Sequence, residues 1–292
     1  MSSQNPAIPT LTESYSGRTS KVPEIGITVV LVLLAALVIL PLIIPFFFVF
    51  KTRLEFNYNP WALPKAIRWD NFVLAWQGIR LDKGMLNTFQ VCLGAIVLTI
   101  PMSAMAGYVF ARYRSKITEI AFYFILGGFF VPIQMVLIPL VKMTAAIGIA
   151  NTLPGVFLPM AAFGVSFWTM IYRSFFRDLP GELADAARID GSGHTGTFFR
   201  IMLPLAQPAT VLAVILVFIG AWSDYLLSLV MLNNPDLFTM QLRTWQFSGQ
   251  YGVDHMPRYA AAAIMSAAPT VILYIIGHRW VLRGTLAGAL KG

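Results

Sequence analysis

Charge and cysteine are both scarce in this chain, and each scarcity excludes a class of protein. Only 12% of the 292 residues are charged, about half of the roughly 25% found in a typical soluble domain. The hydrophobic share is 57% and the mean hydropathy is +0.70, which excludes a disordered chain and argues against a soluble globular enzyme. The single cysteine, Cys92, cannot form an internal disulfide, and the histidines lack the spacing of a ligand set. We therefore predict no metal site.

Motifs for nucleotide binding and hydrolysis are also absent. The sequence contains no Gly-Lys pair, hence no phosphate-binding loop of the G-x-x-x-x-G-K-[ST] type, and no H-E-x-x-H or G-x-S-x-G motif. Basic residues are scattered between hydrophobic runs instead of forming a stripe, so we predict no nucleic-acid binding. Lysines and arginines beside such runs are expected to meet lipid headgroups.

Long uncharged hydrophobic runs make up about half of the chain. A membrane span needs roughly 20 apolar residues, and each of six runs is that long. The first run is too long for a signal peptide and no small-residue cleavage site follows it, so we predict an uncleaved first span. We predict an all-α, polytopic membrane protein with an N-terminal tail (1–24), a six-span domain (25–284), a C-terminal tail (285–292) and transmembrane helices at 25–50, 84–111, 120–141, 152–172, 204–232 and 259–280.

The distribution of basic residues predicts that both termini are cytoplasmic. If six spans alternate, 12 basic residues fall on the side of the termini and 9 on the other side. The positive-inside rule is most informative in short loops, and the short turn Arg112–Lys116 holds three basic residues on the side of the termini.

A polar segment at 174–204, between the fourth and fifth runs, has the signals of a short helix. Pro180 suits a first helical turn, and Gly191 is a natural C-terminal stop. Helical spacing groups the following residues on two faces: Leu183, Ala186, Ala187 and Asp190 on one, Asp185 and Arg188 on the other. Because such a short helix is not stable alone in water, it needs a partner groove; a solvated amphipathic connector is the alternative.

The spacing of this segment resembles the EAA loop of ABC importer permeases. Asp185-Ala-Ala187, three residues, Gly191, nine residues and Ile201-Met-Leu-Pro204 follow that pattern, with Asp185 where Glu is usual. Further segments resemble the carbohydrate branch, the maltose-type permease subunit: Leu86-Asn-Thr88, Ala106–Arg112, Ile189-Asp-Gly191 and the C-terminal Arg283–Gly292.

This resemblance implies a type I ABC importer permease fold in the bacterial inner membrane, with the EAA loop in the cytoplasm. The implied function is uptake of a carbohydrate delivered by an extracytoplasmic solute-binding protein, and the chain would form half of the translocation pathway. The implied partners are a second homologous permease subunit and two ATPase subunits, which would bind ATP and Mg; this chain would bind no cofactor and would not be an enzyme. The implied ATPase-coupling residues are Glu182, Leu183, Asp185, Ala186, Ala187, Arg188, Asp190, Gly191, Leu203 and Pro204.

Polar residues inside the runs are candidates for the translocation pathway, because intramembrane polar groups face the bundle interior or a cavity. Sugar sites combine aromatic surfaces with amides or carboxylates, as Trp222 and Asp224 would. A helix cap for Asn87, an interhelical hydrogen bond for Gln134 and an interfacial anchor for Trp222 are the structural alternatives. The candidates are Asn87, Gln90, Gln134, Trp222, Asp224 and Tyr225.

Two other functions compete with the importer. An ion-coupled secondary transporter needs ionisable groups near the middle of its spans, and the centres of the six runs hold none. A non-transporting membrane scaffold would leave the spacing of the loop unexplained. Oligosaccharide, glycoside and glycerol-phosphate substrates all remain open.

Overall fold

The computed structural model describes residues 24–113, 115–189, 191–251 and 255–289, and these residues form helices and loops without a strand. The α-helices in chain order are α1 (Glu24–Phe48), α2 (Arg53–Tyr58), α3 (Asp70–Gly78), α4 (Leu81–Arg112), α5 (Lys116–Gly127), α6 (Leu137–Ala146), α7 (Leu153–Asp178), α8 (Glu182–Ile189), α9 (His194–Thr197), α10 (Leu203–Leu205), α11 (Gln207–Trp222), α12 (Leu226–Met231), α13 (Met240–Tyr251) and α14 (Met256–Ala289). Most of the predicted N-terminal tail, Asp190 and residues 290–292 lie outside the described residues.

The long apolar helices bear out the prediction of an all-α polytopic membrane protein. Three of them, α4, α7 and the stretch Met256–His278 of α14, are long and apolar enough to cross a membrane. Two bent pairs raise this number to five if each pair is one span: Lys116–Phe130 with Ile133–Ala146, and His194–Leu205 with Gln207–Trp222. The first predicted run is helical as well, and within α1 the apolar stretch is Gly26–Leu40.

Two of the predicted spans are broken instead of continuous. The helix axis turns by 90° between Phe130 and Ile133, where Val131 has extended dihedral angles because the ring of Pro132 disfavours helical geometry in the residue before it. The axis turns by 74° before Gln207, because Pro208 cannot donate a hydrogen bond to the carbonyl four residues earlier. The fifth predicted span, 204–232, is interrupted again at residues 223–225, between α11 and α12.

The pairing of α4 with α7 organises the core. Gly107 allows a close approach of the two backbones, because a Cβ at this position would lie 2.6 Å from Cβ of Tyr172 and 2.9 Å from the backbone nitrogen of Arg173. Small residues at such crossings let two membrane helices pack backbone to backbone. A buried aromatic cluster lies next to this crossing, and it is formed by Tyr108, Phe176 and Phe198.

We expect Gly107→Ala to destabilise the protein, because a methyl group here meets backbone atoms that cannot move aside. Overpacking of this kind costs about 1–3 kcal/mol, so the midpoint of thermal unfolding in detergent should fall by several degrees. Gly127→Ala is the matched control, since a Cβ at Gly127 meets no atom within 4 Å. Equal unfolding midpoints for the two variants would contradict the close α4–α7 contact.

Candidate functional site

The short helix α8 lies in the loop between α7 and α11, where the sequence predicts it. The Gly181 carbonyl accepts the backbone N–H groups of Ala184 and Asp185, at 2.9 and 3.3 Å, and so begins the helix. Gly191 ends it in the left-handed region with φ of +79°, and the N–H of Ser192 bonds to the carbonyl of Ala187 at 2.9 Å. This six-to-one bond across a left-handed glycine is a Schellman stop.

The two faces of α8 differ from the grouping made by helical spacing. Ala184 and Ala187 are 5% and 3% exposed and pack inward, so Ala187 does not share an outer face with Leu183 and Ala186. Leu183 and Ala186 are exposed, and Ile189 is 87% exposed. We call Leu183, Ala186 and Ile189 the outer strip of α8. Glu182 and Asp185 are exposed beside it, whereas Asp190 and the side chain of Arg188 lie outside the described residues.

Residues at the C-terminal end of α4 form hydrogen bonds to the chain on both sides of α8. On the side that leads into α8, Nη2 of Arg112 donates to the carbonyls of Leu179 and Pro180 at 3.4 and 3.5 Å, which are long hydrogen bonds. On the far side, the Tyr113 hydroxyl bonds to Nδ1 of His194 at 2.7 Å. The end of one spanning helix is therefore joined to both flanks of a segment whose outer strip is exposed.

The chain after α8 packs into the aromatic cluster next to the α4–α7 crossing. Phe198 packs on the ring of Tyr108 at 5.2 Å, and Met202 is fully buried. Leu203 and Pro204 follow in α10, where the chain returns to a spanning helix. Sequence reasoning placed these two residues at this return. The structure packs Leu203 against the cluster and leaves Pro204 exposed, and neither residue belongs to the outer strip.

Arg173 secures the same end of the bundle, a role that the sequence did not reveal. The side chain is 6% exposed, its Nε donates to the Phe110 carbonyl at 3.3 Å, and its guanidinium pairs with the Glu119 carboxylate. The guanidinium carbon lies 3.7 Å from the ring centre of Phe122. Arg173 thus joins α7 to α4 and α5 through a cation–π contact and a charge-assisted hydrogen bond.

At the opposite end of α4, Asn87 holds a loop. Its side-chain nitrogen donates to the carbonyls of Asp236 and Phe238 at 2.8 and 3.1 Å. Lys83 pairs with the same Asp236 and lowers the pKa of that carboxyl, so this tie is present at neutral pH and is lost on acidification. The side-chain N–H donors of Asn87 are therefore bonded within the fold. Gln90, about one turn further along α4, is exposed.

The other pathway candidates lie in three different surroundings. Gln134 is exposed in the 3-10 turn after Pro132. Trp222 is 2% exposed, and its ring nitrogen donates to the Ser266 carbonyl at 2.9 Å, which holds α11 against α14. Asp224 and Tyr225 are half-buried in the break between α11 and α12, so the structure brings only these two of the six candidates together with Trp222.

Asp224 caps the N-terminal end of α12. Its Oδ1 accepts the backbone N–H of Leu227 at 3.3 Å, and its Oδ2 accepts the N–H and the hydroxyl of Ser228, both at 2.9 Å. Tyr225 beside it packs on Trp245, with ring centres 5.5 Å apart. Within the part of the chain that the structure describes, no group of three or more His, Cys, Asp or Glu side chains is arranged to hold a metal ion.

Comparison with known proteins agrees with this architecture. The family model of the binding-protein-dependent transport system inner membrane component matches residues 99–285, a range that contains the whole α8 segment. The chain belongs to this family of membrane permeases. It is an inner-membrane transport component with α8 in the loop between two of its spanning segments.

Individual relatives of this permease transport sugars, according to their names. The chain is 30% identical over 263 residues to the diacetylchitobiose uptake system permease protein of Streptomyces coelicolor, covering 89% of this chain and 87% of that protein. It is also 30% identical over 268 residues to the melibiose/raffinose/stachyose import permease protein of Bacillus subtilis, covering 90% and 96%.

Solved structures share the fold of the permease. One chain of a bacterial ABC transporter involved in the import of the acidic polysaccharide alginate superposes with a TM-score of 0.78 at 18% identity, covering 91% of this chain and 99% of that chain. A second structure, the alginate ABC transporter in complex with an alginate pentasaccharide-bound periplasmic protein, gives a TM-score of 0.66 at 14% identity, covering 89% and 94%.

Proposed function

We propose that this permease takes up a carbohydrate as one of two membrane subunits of an ATP-driven importer. The names of the relatives support a sugar or oligosaccharide as the solute. The one structural observation that carries the mechanism is α8, an eight-residue helix that is held on both flanks by α4 and exposes a strip of Leu183, Ala186 and Ile189. A short exposed helix of this kind suits a groove on a partner.

The partner of the outer strip is an ATPase subunit in this proposal. ATP and Mg then bind to the ATPase subunits, and this chain contributes the pathway and the coupling without hydrolysing ATP. A second homologous permease completes the pathway, and an extracytoplasmic sugar-binding protein delivers the solute, as the complex with a periplasmic protein illustrates for the alginate transporter. The orientation that follows has the α8 loop and both termini in the cytoplasm, and 25–284 is the permease domain.

An ion-coupled mechanism has less physical support. Among the described residues, the buried charged side chains are Lys51, Arg173 and Arg243. Lys51 and Arg243 lie outside the long apolar helices, and Arg173 is near the end of α7. A proton or sodium relay needs ionisable groups near the bilayer centre, and none of these three side chains lies at the middle of a long apolar helix.

The test is uptake by the complete transporter in proteoliposomes, with labelled diacetylchitobiose, raffinose and stachyose as probes. We expect ATP-dependent accumulation of at least one sugar in the presence of the binding protein, with no accumulation driven by a proton or sodium gradient alone. The purified permease by itself should hydrolyse no ATP. Gradient-driven uptake without ATP, or hydrolysis by the isolated chain, would contradict the proposed function.

A further inference from the structure

A cavity of about 280 Å³ lies among α4, α7 and α11, beside the break that precedes α12. Asp224 is one of the lining residues, and Gly220, about one helical turn earlier in the chain and still within α11, is another. Ligand pockets for drug-sized molecules begin at roughly 300 Å³, so this volume suits one sugar ring and not a whole oligosaccharide.

The part of the lining that α7 contributes is apolar and partly aromatic. Phe163 and Trp168 come from α7, and Met160 lies one turn before Phe163 on the same helix. Pockets with aromatic walls and a few fixed polar groups orient small ligands through those groups. A sugar ring has this dual character, because its C–H faces are apolar and its edge carries hydroxyl groups.

Asp224 keeps acceptor capacity for such an edge. A carboxylate oxygen offers about two acceptor positions. Both positions of Oδ2 are used by Ser228, while Oδ1 accepts one hydrogen bond, from Leu227. Among the described residues, one position of Oδ1 is therefore open, on a side chain that lines the cavity and is already held rigid by the start of α12.

The lining also contains a second polar side chain, Thr99, and its hydroxyl lacks a hydrogen-bond partner among the described residues. The side chain is 1% exposed, and its Oγ1 forms no hydrogen bond within the described ranges. Buried polar groups in native structures are nearly always hydrogen-bonded. A hydroxyl in a lining that also contains the Asp224 carboxylate would find its partner in a ligand that itself carries hydroxyl groups.

We propose that this cavity is a solute subsite of the permease, which takes one ring of the passing carbohydrate against Trp168 and Phe163 while Asp224 Oδ1 accepts a sugar hydroxyl. The proposal rests on the proposed function, and it adds that this subunit itself contacts the solute. It also gives Asp224 two roles, a cap of α12 and an acceptor for the sugar.

Filling the cavity tests the subsite without disturbing the fold. A Cβ at Gly220 meets no atom within 4 Å, so Gly220→Leu adds bulk to the cavity without a clash at its first atom. With a labelled sugar that the unsubstituted transporter carries, we expect its uptake to fall about tenfold, while ATPase activity stimulated by the binding protein stays within about twofold. Gly127→Leu is the matched control, because Gly127 has the same free space and lies outside this cavity.

A second pair of variants separates the two roles of Asp224. Asp224→Asn keeps an acceptor oxygen for the cap but removes the charge, and we expect about tenfold less labelled sugar retained in the vanadate-trapped complex, the loss of one charge-assisted hydrogen bond. Ser228→Ala removes a cap partner and leaves the carboxylate in place, so retention should stay within about twofold.

The outcomes distinguish this proposal from the proposed function. If the unsubstituted transporter carries none of the labelled sugars, both fail. If it carries one, and Gly220→Leu transports it at the rate of Gly127→Leu, the subsite alone is overturned. Equal losses in Asp224→Asn and Ser228→Ala would show that Asp224 is only a cap, which also overturns the subsite.

Discussion

A tryptophan in place of Ala186 is expected to separate the permease from the ATPase subunits proposed above while leaving the permease folded in the membrane. Ala186 is the central and smallest residue of the outer strip, so a groove that closes on it has no space for an indole ring. Overpacking costs about 1–3 kcal/mol, which weakens association by roughly 5- to 150-fold. The measurements are the amount of ATPase that copurifies with the permease and the uptake rate in proteoliposomes.

Ala62→Trp is the matched control for this variant. Ala62 is exposed, and it lies in the loop between α2 and α3, before the start of α4 and thus far from α8. The control should retain its ATPase subunits, and both variants should reach the membrane in equal amounts. Full ATPase association in Ala186→Trp would mean that the outer strip is not the docking surface.

The second large effect is expected when the ties between α4 and the α8 segment are removed. In the double variant Arg112→Ala with Tyr113→Phe, the hydrogen bonds to Leu179, Pro180 and His194 are lost, but the outer strip is unchanged. The ATPase should still bind and hydrolyse ATP, because its docking surface is intact. Movement of α8 would reach α4 less effectively, so we expect the number of sugars transported per ATP to fall about fivefold or more.

The control for this variant removes the same two functional groups elsewhere. Arg68 forms an exposed ion pair with Asp70, and Tyr123 is an exposed side chain of α5. Arg68→Ala with Tyr123→Phe should keep the normal ratio of transported sugar to hydrolysed ATP. The same ratio in both double variants would exclude α4 as the element through which α8 acts.

Local signals in the sequence were sufficient to predict α8 and its ends. Pro180 and Gly191 each act through residues only a few positions away. The structure ends the helix at Gly191 as predicted, whereas Pro180 lies just before the start of α8 and not in its first turn. The face of α8 that packs on the bundle was harder to predict from the sequence. Ala186 and Ala187 are chemically identical, and only the packing of α8 on the rest of the bundle decides that Ala187 is buried.

The breaks in the spans show the limit of hydropathy. An apolar run predicts residues that leave water, but it does not require one straight helix. Pro132 lies in the middle of the third run, and its effect on Val131 produces a turn of 90° that mean hydropathy cannot register. Hydropathy therefore predicts that a segment is apolar, but not that it forms one continuous helix.

Long-range contacts decided the roles of the polar residues. Asn87 bonds to carbonyls about 150 positions away, and Trp222 bonds to Ser266. A single sequence does not show which distant backbone group will meet a side chain, so both residues resembled pathway candidates as much as structural ones. The pairing of Tyr113 with His194 was hidden for the same reason, although both residues lie next to recognisable motifs.

The most direct measurement of the central claim is site-specific photo-crosslinking in the assembled transporter. A photoreactive phenylalanine analogue would replace Ile189, which is 87% exposed on α8, or Leu54, which is 80% exposed on α2 before the start of α4. We predict a crosslink to the ATPase subunit from position 189 and none from position 54. A crosslink to the ATPase from position 54, or its absence at position 189 in a complex that hydrolyses ATP and transports sugar, would contradict the account.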